Sequence, residues 1–156
     1  MKKADKLAVF FASVLGTGFI PKAPGTFGSL AGLLAWIFFM PENPPTQIIA
    51  VSVCLVLSVI LSSRAGRALE CADDPRIVID EVCGMWVALM LLPATAGVYI
   101  AAFILFRFFD IKKPFIINSL QSFQGGIGVT LDDVAAGIFA NLIIRFAIFM
   151  GVPWLI

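Results

Sequence analysis

Residues 80–113 read DEVCGMWVALMLLPATAGVYIAAFILFRFFDIKK. Between Val82 and Phe109 this run carries one charged side chain, Arg107, and is broken once, at Pro93. As a single kinked helix its 28 residues would extend roughly 42 Å at about 1.5 Å per residue, leaving the acidic groups at its two ends on opposite faces of a bilayer. As a hairpin turning at Pro93-Ala94-Thr95, it returns Asp80-Glu81 and Arg107-x-x-Asp110 to one face, where one ion or one phosphate can touch both. The hairpin is the expected arrangement, because separated motifs could not share a ligand and because the turn lacks basic residues, as an external turn should. Its arms are short, so tilt, bilayer thinning or packing against neighbours must support them.

The rest of the chain requires the same solvent. Of 156 residues, 60% are hydrophobic before glycine is counted and 13% are charged, with a mean hydropathy of +1.01. Soluble domains reach only about 45–50% apolar with glycine included. A water-soluble globule of this size has too few polar groups here to cover its surface. Disordered chains and secreted disulfide scaffolds are equally poor fits. A net charge of +1 argues against a nucleic-acid partner. Cys54, Cys71 and Cys83 form no CxxC pair, so neither zinc nor a disulfide framework is indicated. Histidine is absent, which removes histidine nucleophiles, Ser-His-Asp relays and His-ligated metals.

Apolar stretches cover Leu7–Ile20, Phe27–Met40, Gln47–Leu61, Val82–Leu92, Ala96–Phe109 and Val134–Ile148. None alternates as a barrel strand would, and backbone groups in lipid must bond internally, so helices are expected. Lys2, Lys3, Lys6 and Lys22, then Arg64, Arg67 and Arg76 in the linker 62–81, then Lys112 and Lys113 in the linker 110–133, mark one side. The turns 41–46 and 93–95 and the tail after Phe146 carry no Lys or Arg. The positive-inside rule makes the first group cytoplasmic. The expected fold is therefore all-α: one domain over 1–156, a polytopic membrane bundle of about five spanning helices plus a non-spanning N-terminal helix. The Lys-rich start followed by an apolar core imitates a signal peptide, but Lys22 and Pro24 stand where a small-residue cleavage site would be, so cleavage is not expected.

Five carboxylates lie on the cytoplasmic side at the ends of these stretches: Asp80, Glu81, Asp110, Asp132 and Asp133. Capping accounts for Asp80 and for Asp133 ahead of Val134. It leaves the second member of each pair unexplained, and Asp110 too, which sits at a helix C-terminus where the dipole disfavours it. Adjacent carboxylates repel unless a positive charge holds them together. The pattern leaves caps and a cation site both open. With no His and no suitable Cys, such a cation would have oxygen ligands, which points to Mg²⁺ or Mn²⁺ and, through them, to a phosphate substrate.

Arg107 and Asp110 share a helix face at i, i+3. Lys112 and Lys113 follow; they fit either a phosphate or membrane-boundary anchoring. Pro24-Gly25-Thr26-Phe27-Gly28-Ser29 opens an apolar helix beside Lys22, so its hydroxyls, Thr26 and Ser29, and its free N–H groups form a candidate phosphate cradle. Gly125-Gly126-Ile127-Gly128 precedes Asp132-Asp133 but lacks the Lys-Ser or Lys-Thr of a P-loop.

Together these blocks resemble the bacterial phosphatidylglycerophosphatase A family. They are Pro24-Gly25-Thr26-x-Gly28-Ser29, Asp80-Glu81-x-x-Gly84-x-Trp86, Phe106-Arg107-x-x-Asp110-x-x-Lys113-Pro114 and Gly125-Gly126-x-Gly128-x-x-x-Asp132-Asp133-x-x-Ala136-Gly137, in that order. The resemblance runs from about Gly16 to the last apolar stretch. It implies a Mg²⁺-dependent hydrolase of the bacterial inner membrane that removes the terminal phosphate of phosphatidylglycerophosphate at the cytoplasmic face. Family members often carry His before the Gly-Gly pair and a second Pro two residues after Lys-Pro; Gln124 and Ile116 stand there in this chain. On this reading Asp80, Glu81, Asp110, Asp132 and Asp133 supply metal ligands and one base, with Asp80, Glu81, Asp132 and Asp133 as the ligands. Lys22, Arg107, Lys112 and Lys113 balance phosphate charge, and Thr26 and Ser29 help to hold it.

Other phosphatase chemistries are missing from the sequence. No Cys and Arg have five residues between them as Cys-dependent lipid phosphatases need, since Leu89 occupies that place after Cys83 and Cys71 and Arg76 are one residue too close. Neither Asp-x-Asp nor Asp-Gly occurs. The competing class is a small transporter or assembly subunit with an ion site, for which Arg145, deep in the last apolar stretch, is the best feature. A transporter should carry its charges near the midplane and often repeats a half; here the carboxylates gather at one face.

Overall fold

The computed structural model describes residues 3–113 and 126–155, and among them every regular element is helical. The helices are α1 (Lys3–Ala12), α2 (Pro24–Phe39), α3 (Pro44–Leu69), α4 (Ile79–Leu89), α5 (Ala96–Lys112) and α6 (Gly126–Phe149). Single 3₁₀ turns lie at Thr17–Phe19 and Pro153–Leu155.

Local chemistry sets their starts. Pro24 and Pro44 occupy first-turn positions, where a missing N–H costs nothing. Asn43 and Thr95 cap α3 and α5 by accepting hydrogen bonds from Thr46 N–H and Val98 N–H, each at 3.3 Å. α2 to α6 run alternately between two ends. At the far end, Met40, Glu42, Gln47, Pro93 and Tyr99 border one cavity, which places the α2–α3 and α4–α5 turns side by side. The hairpin at Pro93 is thus realised, and the start of α4 and the end of α5 share the opposite, near end.

Among the described residues, only α3 and α6, at 26 and 24 residues, are long and apolar enough to cross a membrane. The expectation of five spanning helices is not supported. α4 has 11 residues, a rise of about 16 Å against a hydrocarbon core of about 30 Å. α2 and α5 have 16 and 17. Two supposed linkers are partly helix: α3 continues past Leu61 to Leu69, and α6 begins at Gly126 rather than Val134. The polar and small residues there face neighbours. Ser62, Ala65 and Gly66 are buried, and a Cβ on Gly126 would lie 2.5 Å from the Ser63 backbone nitrogen.

α1 stays at the near end. Val9 and Ala12 pack on Ala65 of α3 and on Ile77, and Val78 N–H donates to the Ala12 carbonyl at 2.9 Å. Asp74, in the loop before α4, accepts from the Arg76 backbone N–H and guanidinium. That hydrogen-bonded guanidinium holds its carboxyl below the usual carboxylate range, so the contact contributes above the ordinary carboxylate pKa and fades as acid takes the pH through the lowered value. The loop thereby ties the first turn of α4 to α1.

The far end of α4 closes in an unusual way. Asn141, buried in α6, donates to the carbonyls of Val87, Ala88 and Met90 at 3.0–3.2 Å. Arg145 donates to Asn141 Oδ1 at 2.7 Å and to the carbonyls of Met90 and Leu91. Gln47 of α3 accepts from Leu91 N–H at 2.9 Å. A helix this short can end inside an apolar bundle because other helices satisfy its last carbonyls. Arg145 therefore has a structural partner, and the feature that favoured an ion path is accounted for. Asn141→Leu should lower the thermal midpoint of the purified protein, since orphaning a buried carbonyl costs about 1–3 kcal/mol. Arg145→Leu should lower it less, because that side chain is exposed and shares the Met90 carbonyl with Asn141. Unchanged melting of the Asn141 variant would remove this role.

Candidate functional site

The site grows from a helix crossing. A Cβ on Gly84 of α4 would lie 2.5 Å from the Phe106 ring and 2.7 Å from the Asp133 carbonyl, and a Cβ on Gly137 of α6 would strike the Gly84 carbonyl. Two glycines therefore bring the backbones of α4 and α6 into direct contact. Asp80 lies four residues before Gly84, and Asp133 four before Gly137. A four-residue step returns to the same helix face, so both carboxylates emerge one turn from the crossing and point at the same place.

Glu81 completes a triad. One carboxylate oxygen from each of Asp80, Glu81 and Asp133 lies within 4.8 Å of the others, and Asp80 and Asp133 are only 4% exposed. Asp80 Oδ1 and Glu81 Oε2 are buried without a hydrogen-bond partner. Buried carboxylate oxygens are almost always satisfied, and two orphans converging with a third carboxylate fit a hard cation. Oxygen donors alone suit Mg²⁺ or Mn²⁺.

The cations form the facing wall. Arg107 donates to Asp110 Oδ2, its i+3 neighbour, and to Ser29 Oγ at 3.3 Å. Ser29 is fully buried and donates in turn to the Gly25 carbonyl at 2.7 Å. A Cβ on Gly25 would collide with Glu81 Oε1 and lie 3.2 Å from Arg107 Nη1, so the first turn of α2 rests on the site and a side chain there would displace the Glu81 carboxylate. Lys113 donates to Asp132 Oδ2 at 2.5 Å across the gap between α5 and α6. Five carboxylates thus meet two paired cations, and the imbalance favours one more positive charge.

Asp80, Glu81, Asp110, Asp132, Asp133, Arg107 and Lys113 are brought together at the near end, with Gly25 and Ser29. Asp132 and Asp133 are not caps: they lie inside α6, well past Gly126, and are buried. Nor does Asp80 cap α4, whose N-cap is Val78. Asp132 is engaged with Lys113 and is not among the three converging carboxylates. Ser29 donates its hydroxyl to the Gly25 carbonyl and accepts from Arg107. Thr26 is half-buried on the first turn of α2. Lys22 and Lys112 are exposed, and no ion pair among the described residues involves either. Pro114, Ile116, Gln124 and Gly125 lie outside the described residues. Asn141 and Gln47 escaped notice in the sequence; a lone amide inside an apolar stretch was their one signal.

Residues 10–148 match the family described as phosphatidylglycerophosphatase A. The chain is 37% identical over 154 residues to a Bacteroides thetaiotaomicron protein named "Putative phosphatidylinositol-3-phosphatase", covering 94% of this chain and 97% of that one. It is 34% identical over 135 residues to the phosphatidylglycerophosphatase A of Escherichia coli, covering 84% and 77%, and 38% identical over 136 residues to that of Haemophilus influenzae, covering 85% and 83%. No solved structure matches the chain.

Proposed function

The chain belongs to the phosphatidylglycerophosphatase A family and is a phosphatase, and we propose that it hydrolyses phosphatidylglycerophosphate to phosphatidylglycerol and phosphate, with Mg²⁺, at the cytoplasmic face of the membrane. The observation that carries this reading is the convergence of Asp80, Glu81 and Asp133, two of them with orphaned oxygens, opposite Arg107 and Lys113.

Asp80, Glu81 and Asp133 would hold the ion. When bound, it supplies positive charge against the phosphoryl oxygens. Arg107 and Lys113, each oriented by a carboxylate, bind the remaining phosphoryl oxygens, and the α2 N-terminus adds N–H groups and the favourable end of its dipole. Water attacks phosphorus as the bond to the glycerol oxygen breaks; one carboxylate of the cluster takes the water's proton and passes it to that departing oxygen. Such transfers rest on positioning and charge stabilisation. The basic residues at the near end, Lys3, Lys6, Arg64, Arg67 and Arg76 among them, support a cytoplasmic orientation. Exposed Ile48, Ile49, Val53, Val56, Leu57 and Ile60 on α3 support a membrane setting, with the substrate's acyl chains against the apolar helices.

The test is phosphate release by purified protein in mixed micelles. Phosphatidylglycerophosphate should turn over with Mg²⁺ and stop on chelation, and phosphatidylinositol 3-phosphate should be the poorer substrate. Undiminished turnover under chelation would reject the metal, and preference for the inositol lipid would reject the substrate. Arg107→Lys should lose about a hundredfold in turnover while inserting and melting normally, because one ammonium cannot reach Asp110, Ser29 and a phosphate in the guanidinium's fixed geometry. Wild-type kinetics in that variant would return Arg107 to a membrane-boundary role.

A further inference from the structure

We propose that the cleft between α1 and the last turns of α3 holds the headgroup of an anionic phospholipid of the surrounding bilayer, at a place separate from the carboxylate cluster. The cleft measures about 340 Å³ and is lined by Ala4, Asp5, Arg64, Arg67 and Ala68. Binding cavities for small ligands begin near this size, at about 300 Å³. Arg64 and Arg67 stand one turn apart, both exposed, and neither forms an ion pair among the described residues. Together they outweigh the single carboxylate of Asp5, and Lys3 and Lys6 on α1 add to the local positive charge.

The surface beneath the cleft has the layout of a lipid. From Arg64, steps of four, three and four residues down α3 reach Ile60, Leu57 and Val53, which share its face. Those side chains are 44%, 47% and 52% exposed. A cationic head position is thus continuous with an apolar stripe on a helix long enough to cross the membrane. On α1, which supplies one wall of the cleft, Leu7, Phe10 and Phe11 are about half exposed. A zwitterionic headgroup would bring its ammonium toward two guanidiniums, whereas an anionic one leaves a net negative charge to pair with them. The site asks only that α3 cross the bilayer, and it is independent of the phosphatase mechanism.

The experiment uses the full chain in phosphatidylcholine vesicles that contain a trace of phosphatidylglycerol with a diazirine near the headgroup. After irradiation, label should map to peptides containing residues 4–11 and 60–68, with little from the matching phosphatidylcholine probe. R64Q/R67Q should lower that label about tenfold, and R64K/R67K should keep it. Phosphate release by R64Q/R67Q in detergent should stay at the wild-type level, which shows that the variant is folded. Equal labelling by the two probes, unchanged label in R64Q/R67Q, or loss of label in both double variants would overturn the proposal. Labelling is read without turnover, so its failure leaves the phosphatase reading standing.

Discussion

Asp80→Asn, Glu81→Gln and Asp133→Asn are each expected to lower turnover by about a thousandfold or more, since each removes a buried charge aimed at the reacting group. The amides keep size and hydrogen-bonding capacity, and they relieve repulsion within a cluster of five carboxylates and two cations. Without metal, the variants should therefore melt no lower than the wild type. The wild type should gain stability as Mg²⁺ is added, because an ion that binds the folded state alone shifts its melting by mass action. The variants should lose that gain. The combination separates a lost ligand from a damaged fold. Near-normal Mg²⁺-dependent turnover in all three would sink the cluster assignment.

Gly137→Ala should be nearly as damaging, though the residue carries no chemistry. Its added Cβ would run into the Gly84 carbonyl, a backbone atom that cannot rotate aside. Overpacking of this kind costs about 1–3 kcal/mol where the structure can yield, and here yielding means moving α6 away from α4. Asp133 then withdraws from Asp80 and Glu81. Turnover should fall at least about a hundredfold in a protein that remains helical, with the Mg²⁺-dependent rise in melting temperature reduced alongside. Full activity in Gly137→Ala would show that the crossing does not set the carboxylate geometry.

The helical class, the hairpin at Pro93 and most of the constellation were legible because each rests on short-range pattern. Pro93 breaks an apolar run, Arg107 and Asp110 are one turn apart, and carboxylate pairs without local cations ask for an explanation wherever they occur. Helix ends were less legible. Ser62–Leu69 and Gly126–Asp133 look like linkers because hydropathy does not distinguish a polar residue in a loop from one buried against another helix. That same ambiguity made Asp133 look like a cap. The number of crossings fell for another reason, the shortness of α2, α4 and α5 at 16, 11 and 17 residues. The contacts of Ser29 and Arg145 were hidden for a different reason: their partners, Arg107 and the end of α4, are 78 and more than 50 residues away. Gly84 and Gly137 stood in the quoted motifs, and their four-residue spacing from Asp80 and Asp133 was visible. Which two helices touch there was not.

α6 contributes the third converging carboxylate, the acceptor for Lys113, and the side chains that finish α4. Among the described helices it also follows all the others in chain order. While it is still being made, α3 can already lodge in the membrane, but α4 has open carbonyls at one end and two unaccompanied carboxylates at the other. Assembly of the carboxylate cluster therefore waits on the synthesis of α6, and a nascent chain halted before Gly126 would lack its third member. A chain able to gather the three carboxylates is thus one whose synthesis has passed α6.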